Sequence, residues 1–591
     1  MEVLAKGQTL GELFRMVAIT YRSHDAEAAA SLVADGVHPV LAKILAARGI
    51  RHSSQLEYSL KGLIPPERLL NNNRMAQLLA DAITQQKRLL VIGDYDADGA
   101  TATAVAIRGL RSMGALIDFL VPNRFEYGYG LTPEIVELAA ARRPDIIITV
   151  DNGIASVEGV AAANRLGIQV LVTDHHLPGE ETPQAACIIN PNQRGCDFPS
   201  KNLAGVGVIF YALLALRAEL RARDYFRERP EPNLTELLDL VALGTVADLV
   251  RLDDNNRILV EQGLRRIRAG KGCPAIRALL KLGGRDYTRV CAQDLGFCVG
   301  PRLNAAGRLD DMSLGIACLL ADNEQEAERM AQQLHELNHA RRTIEADMQE
   351  MATLALEDID CADRFSLSLY HPDWHQGVIG ILASRVKERY HRPVIAFAQG
   401  GYDGLLKGSG RSISGLHLRD ALDLVSKRRP NLLLKFGGHA MAAGLTIREQ
   451  DFARFNLEFE AVAAELLTPA HLEVVIEVDG ALELQHMHWE LAKMLEQQVV
   501  WGQGFPPPVF CDEFLVIDQR VVGEKHLKLI LEKGKKRFDA IFFQQQAFLP
   551  AKIHAVYQLQ TNQYNGMESL QICLRHWQET VQPQAVTLTH P

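Results

Sequence analysis

Leu89-Leu90-Val91-Ile92-Gly93-Asp94-Tyr95-Asp96-Ala97-Asp98-Gly99 decides how this chain is read. Four apolar residues make a short β run. Three aspartates at alternate positions follow, and a glycine lets the chain turn tightly into the next element. Two further apolar runs end in the same way. Ile146–Val150 leads into Asp151-Asn152-Gly153, and Val170–Thr173 leads into Asp174-His175-His176. Helical stretches lie between the runs. The region from about 70 to 270 therefore reads as βαβ units, an α/β fold with a parallel sheet and right-handed crossovers.

Loops that follow parallel strands gather at the carboxyl edge of the sheet, where open α/β folds place ligands. Acids far apart in sequence would meet there, and they repel one another unless a cation neutralises them. Aspartate with histidine suits Mn²⁺ or Mg²⁺. Zinc would point to thiolates, and these loops carry none. Asp94, Asp96 and Asp98 alternate, so in an extended segment they would face one way. A fourth acid, Asp248, closes Gly244-Thr245-Val246-Ala247-Asp248 after the apolar stretch Leu237–Leu243. Enough ligands are present for two ions at ~3.5–4 Å, a pair that activates water and stabilises a leaving oxygen in phosphoryl transfer. Each piece alone has a bland reading: a solvated loop or Ca²⁺ turn, a surface His-His pair, a routine Asn-Gly turn. Together they favour a two-metal site.

The rest of the chain frames that centre. Its 591 residues predict three to five domains at ~100–200 residues each. With 47% apolar and 23% charged residues the composition is globular, neither disordered nor fibrous. A net charge of −9 counts against a nucleic-acid partner unless the basic residues are concentrated along one track. Nine scattered cysteines without a C-x-x-C pair suit a reducing cytosol. The start of the chain lacks a signal-peptide layout, and the longest apolar stretch, Leu203–Leu216, falls short of the ~20 residues of a membrane span. A cytoplasmic, non-membrane protein is expected. Residues 1–45 read as a small helical cap and 46–320 as the first α/β domain. Residues 321–360 read as one long connecting helix whose apolar stripe is broken by Arg341. A second, glycine-rich α/β domain is expected over 361–465. Over 466–591 apolar residues alternate with period two, as at Leu527, Leu529 and Leu531 and at Ile553, Ala555, Tyr557 and Leu559. That pattern predicts a small antiparallel barrel.

The four acidic segments stand in the order of the motifs of the DHH phosphoesterases, with Asp174-His175-His176 as the naming triplet. Gly437-Gly438-His439-Ala440-Met441-Ala442-Ala443-Gly444 resembles the signature of the DHH-associated domain. From about 45 to 590 the chain is similar to that family, and within it to the members that degrade single-stranded DNA. The resemblance implies a parallel-sheet DHH domain, a long helix, a DHH-associated domain and an OB-like barrel. It implies catalytic roles for Asp96, Asp98, Asp151, His175, His176 and Asp248, with two Mn²⁺ or Mg²⁺ ions. Asp96 would hold one ion and Asp98, His175 and Asp248 the other. Asp151 would bridge them, Asp94 would assist, and His176 would sit near the scissile phosphate. Ile92 stands where many members carry a ligand histidine, so one tight and one loose site are expected.

The same resemblance assigns phosphate contact to Arg302, Asn304 and Arg308 in Pro301–Arg308. Ser409 and Arg411 in Gly408–Ser412 add a hydroxyl and a guanidinium fork suited to a phosphate, including a terminal one. His439 would approach the same strand. Arg124 and Tyr127 in Asn123–Gly130 could serve base stacking, and Lys533, Lys535, Lys536 and Arg537 would form a basic barrel tip. Surface loop or core packing is the bland reading of each, as it is for Trp374. The implied activity is 5′→3′ hydrolysis of single-stranded DNA to 5′-mononucleotides in recombination and repair. A helicase and a single-strand-binding protein are the implied partners, and a monomer is expected. A channel between the two α/β domains would exclude duplex. One alternative is a DHH phosphoesterase acting on short oligonucleotides or cyclic dinucleotides; the roughly 120 residues after about 470 argue against it. Another is a non-catalytic single-strand-binding scaffold, which the intact set of acids argues against.

Overall fold

The computed structural model describes residues 17–123, 127, 130–357, 363–400, 404–564 and 567–579. The described part of the expected helical cap begins with a strand, β1 (Val17–Tyr21), followed by helices Ala26–Ala34 and Pro39–Ala46. Val-Ala-Ile-Thr-Tyr carries β-branched and aromatic side chains, which favour extended backbone. β1 forms a two-stranded sheet with β12 (Val474–Val478).

The first large sheet has five strands: β2 (Arg88–Gly93), β3 (Leu116–Leu120), β4 (Ile146–Val150), β5 (Gln169–Thr173) and β6 (Cys187–Ile189). All pair in parallel, in the order β3-β2-β4-β5-β6. Every residue of Ile-Ile-Ile-Thr-Val in β4 is buried, as a strand covered on both faces requires. The chain leaves β2 for β3 on one side and then crosses to β4 on the other. The boundary between β2 and β4 is therefore the topological switch point. Register pairs Gly93 with Val150 and Val150 with Thr173. Asp94, Asp151 and Asp174 thus leave the sheet side by side at one level. After β6 the alternation stops, and helices fill the chain from Gly205 to Leu320.

A helix of 34 residues, Glu324–Glu357, follows. Arg341, which breaks its apolar stripe, is buried. Its guanidinium pairs with Glu345 at 2.6 Å, and Glu345 also receives Arg385 at 3.0 Å. The next sheet contains β7 (Leu367–Tyr370), β8 (Val394–Gln399), β9 (Leu405–Arg411), β10 (Lys435–Gly438) and β11 (Ala442–Arg448), ordered β10-β11-β9-β8-β7. Val394, Ala396 and Ala398 of β8 face one core with Leu382 and Trp374. Ile395 and Phe397 face another with Phe455 and Phe459. That is the period-two division of a strand covered on both sides.

The C-terminal element is a closed barrel of β13 (Phe510–Val522), β14 (His526–Lys533), β15 (Lys536–Phe542), β16 (Lys552–Tyr564) and β17 (Met567–Glu579), ordered β13-β14-β15-β17-β16. Leu527, Leu529, Leu531, Ile553, Ala555, Tyr557 and Leu559 are all buried, as their alternation requires. The barrel belongs to the same compact unit as the parallel sheet. Arg48, just beyond the helix Pro39–Ala46, bonds both carboxylate oxygens of Asp479 at 2.7 and 2.9 Å. It also donates to the Pro506 carbonyl and lies over the Trp501 ring. Both side chains of this pair are nearly inaccessible, at 2% and 3% exposure, so it is a hydrogen-bonded, desolvated lock rather than a surface ion pair. Arg257 adds a cation–π contact to Phe505 at 4.3 Å. Among the described residues no helix is long and apolar enough to cross a membrane.

Candidate functional site

The acids converge where the parallel strands end. Asp96 caps the helix Ala97–Ser112: its Oδ1 accepts the N–H groups of Asp98 and Gly99 at 2.9 and 3.0 Å. Asp98 therefore lies in the first helical turn. The alternating acids do not share one face of an extended segment, as their spacing suggests, because the helix starts between them. Asp94 and Asp96 instead group with Asp151, and Asp98 groups with His175 and Asp248. Asp151, His175 and His176 form a third set, so Asp151 and His175 are each common to two sets. In every set the ligand atoms lie within 4.8 Å of one another. His175 Nε2 is 3.0 Å from Asp151 Oδ1 and 3.5 Å from Asp248 Oδ2.

The backbone shapes these positions. Asp98 accepts the N–H groups of Gly205 and Val206 at 2.6 and 3.0 Å, two of the unpaired donors at the start of helix Gly205–Ala222, whose dipole favours a negative charge there. A Cβ at Gly205 would strike the Asp151 side chain, so only glycine fits beside that carboxylate. Asp151 itself has φ +62°, a left-handed conformation uncommon for a non-glycine residue and one that clusters at functional sites. Asp248 caps the C-terminus of helix Leu238–Ala247.

Burial and mutual repulsion dominate the electrostatics. Asp98 is pushed up to about 7, by burial first and the Asp96 charge second, against the pull of its two N–H donors. Burial also raises Asp151 and Asp248 well above the usual carboxylate range, and the charges acting most on each are other carboxylates. Buried acids that raise one another in this way are what a divalent cation would relieve. The donor set is oxygen with one or two imidazoles, which fits Mn²⁺ or Mg²⁺.

Asp174, the acid of the triplet, is not in any of these sets. Its Oδ1 accepts the N–H groups of His175 and His176 and bonds His176 Nδ1 at 2.8 Å, while Oδ2 accepts the Ile154 N–H. Burial alone would raise it, but the bond and charge of His176 outweigh burial and lower it. Burial likewise opposes a charged His176, yet Asp174 wins and lifts it to about 9. Sequence reasoning missed this positioning role, and also those of Asn152, Asn190 and Asn192. Asn152 ties the Ile92 and Val150 carbonyls, while Asn190 and Asn192 hold the His176 and His175 carbonyls. An aspartate directly before two polar residues is a local signal for such backbone capture.

The proposed phosphate contacts separate into two groups. Arg302 is buried and donates to the Cys298 and Leu282 carbonyls and to His335 Nδ1, so its guanidinium braces helices. Asn304 Oδ1 accepts the Ala97 N–H at 2.8 Å. Arg308 is half-buried and donates to the Gly377 carbonyl at 3.1 Å. Ser409 and Arg411 lie half-buried on β9, joined at 3.3 Å, and His439 is exposed in the β10–β11 turn. Tyr127 packs half-buried against the core of the parallel sheet, and Ile92 and Trp374 are core residues. Arg124 lies outside the described residues. At the barrel tip Lys533 is spent on Asp512 and the Leu482 carbonyl, Lys536 on the Met487 carbonyl, and Arg537 on Glu532.

Three family models match this chain: the DHH family N-terminal domain over residues 88–245, the DHHA1 domain over 363–465, and the RecJ OB domain over 478–576. The single-stranded-DNA-specific exonuclease RecJ of Salmonella typhimurium is 51% identical, over 94% of this chain and 98% of its own. The chain belongs to the RecJ family. RecJ of Escherichia coli is 50% identical over the same shares. The crystal structure of Thermus thermophilus RecJ in complex with Mn²⁺ superposes with a TM-score of 0.80 at 30% identity, covering 96% of this chain and 80% of that one. RecJ from the same organism has also been crystallised with Mg²⁺.

Proposed function

We propose that this protein is a metal-dependent exonuclease specific for single-stranded DNA, hydrolysing phosphodiesters from the 5′ end to release 5′-mononucleotides. One observation carries the reading: loops from three adjacent strand ends, with Asp248, form donor sets that share Asp151 and His175 at the switch point. Asp94, Asp96 and Asp151 would hold one ion, and Asp98, His175 and Asp248 the other, with Asp151 between them. Two such ions, when bound, lower the cost of forming the nucleophile and of the charge that develops on the phosphoryl oxygens. The remaining work belongs to the protein. Asp174 holds His176 through Nδ1 and so fixes the orientation of a ring that would sit near the scissile phosphate. Arg308, Ser409, Arg411 and His439 would hold the strand's phosphates, and Arg124 and Tyr127 would meet its bases. The barrel, which carries the RecJ OB domain, would hold the strand beyond the site.

The described cysteines are all free thiols, which supports a reducing, cytoplasmic setting. A monomer working beside a helicase and a single-strand-binding protein in recombination and repair is part of the same reading. The deciding experiment follows nucleotide release from 5′-labelled single-stranded DNA in Mn²⁺ by the wild type and Asp151→Ala. Release is expected from the wild type alone, and undiminished release by the variant would refute the assignment. Equal degradation of blunt duplex would refute strand specificity.

A further inference from the structure

The segment Asp94–Gly99 is gripped from outside its own sheet by the helix Gly300–Leu309. Ala97, between Asp96 and Asp98, begins the helix Ala97–Ser112, and its N–H is one of those a helix start leaves without an internal partner. Asn304 Oδ1 accepts that N–H at 2.8 Å, and Asp96 Oδ1 accepts the next two. Three residues along the same helix face, Gly307 meets the strand-end loop backbone to backbone. A Cβ there would collide with the Tyr95 carbonyl oxygen and crowd Met312. One contact fixes the residue after Asp96 and the other fixes the residue before it. The gripping helix is itself held, because Arg302 donates from it to His335 Nδ1 at 3.2 Å and to the Leu282 carbonyl at 3.5 Å, and a single π-helical turn, Leu295–Val299, leads into it. Such turns recur at functional sites.

We propose that Asn304 and Gly307 are positioning residues for the metal-holding carboxylates, a role distinct from phosphate contact and resting on the reading of those acids as metal ligands. Holding Tyr95 and Ala97 sets where Asp96 points and how far its carboxylate lies from that of Asp98. Partners one step behind a metal's ligands commonly govern its affinity by 10- to 100-fold.

The test is a calorimetric Mn²⁺ titration of the full-length protein without DNA, beside binding of a 5′-phosphorylated single strand measured by anisotropy without Mn²⁺. Asn304→Ala and Gly307→Ala should each weaken Mn²⁺ by about 10- to 100-fold and leave strand binding unchanged. Raised Mn²⁺ should restore much of their kcat with no change in KM for DNA. Asn304→Asp keeps an acceptor for the Ala97 N–H and should bind Mn²⁺ at least as tightly as wild type. Far-UV circular dichroism reports folding; if Asn304→Ala is misfolded, Asn304→Asp and Gly307→Ala decide. Wild-type Mn²⁺ affinity in Asn304→Ala with weakened strand binding would overturn the proposal in favour of phosphate contact. Equal loss of Mn²⁺ in Asn304→Ala and Asn304→Asp would overturn it as well. A wild-type protein that binds no Mn²⁺ would sink the metal reading beneath it.

Discussion

Two runs of like charge stand out in this chain, and the fold treats them in opposite ways. Asp94-Tyr95-Asp96-Ala97-Asp98 is brought against Asp151 and Asp248, acids from distant segments, so that carboxylate faces carboxylate. Lys533-Gly534-Lys535-Lys536-Arg537 is dispersed: Lys533 goes to Asp512 and Lys536 to a carbonyl, while Arg537 goes to Glu532. The first run is concentrated and left without enough counter-charge from the chain. In the second, Lys533, Lys536 and Arg537 are each given an acceptor within the fold. Repulsion retained in a buried place marks a site that something else completes, whereas repulsion cancelled internally marks architecture.

The sharpest way to break this contrast is to remove one charge from each run's surroundings. Asp151→Ala should reduce nucleotide release by at least about 100-fold, since on the proposed reading a ligand shared by both ions is lost. Its metal-free melting temperature should not fall, because one of several mutually repelling buried acids has gone. A drop in both would make Asp151 a structural acid like Asp512. The pH dependence tests the same repulsion. Asp98, Asp151 and Asp248 are raised in the folded state, so their contribution to stability is full below the unfolded pKa near 4 and is lost as pH rises. For Asp98 that loss is complete above about 7. Metal-free protein should therefore melt at lower temperature at pH 8 than at pH 6 through these groups. Mn²⁺ should raise the melting temperature more at pH 8, since binding no longer has to displace protons. Equal Mn²⁺ stabilisation at both values would contradict that linkage.

Lys533→Ala should show the reverse pattern. Asp512 is buried and keeps Tyr557 and the Leu482 N–H, so losing the lysine should cost about 1.5–3 kcal/mol of stability, read by denaturant unfolding. The rate at saturating substrate should stay near wild type; a collapse of that rate would move the barrel tip into the chemistry. The smallest effect concerns the missing ligand. Ile92→His should tighten the weaker of two Mn²⁺ sites by about 10-fold in calorimetry, whereas equal affinities already in the wild type would remove the asymmetry that Ile92 implies.

Much of the centre is legible because its signals are local. An apolar run fixes a strand, and the acid after it falls at the carboxyl edge. Parallel order then brings Asp94, Asp151 and Asp174 together. What sequence could not give is the partner of each group. The alternation of Asp94, Asp96 and Asp98 reads as one face until Asp96 is seen to start a helix. Arg302 and Asn304 look like strand-binding residues because nothing nearby in sequence reveals that Arg302 donates to the Leu282 carbonyl and His335, or that Asn304 accepts the Ala97 N–H. Lys533 reads as exposed because Asp512, on the neighbouring strand, lies about 20 residues away. The aromatic ring of Tyr127 could equally serve core or solvent, and only the fold shows that it is half-buried against the sheet core. Negative net charge misleads for the same reason, because it sums over the chain what the fold arranges in space.

The Arg48–Asp479 lock has a consequence of another kind. Barrel and acidic sheet edge belong to one compact unit, so on the proposed reading the separation between the two places that would hold a strand is set once, during folding. Such a unit would work as a caliper. A strand long enough to touch both jaws gains its second contact intramolecularly, at high effective concentration, while a shorter one is held at a single point. Affinity should then climb in a step at one oligonucleotide length, and cutting the lock with Arg48→Met should blur that step while cleavage of short strands continues.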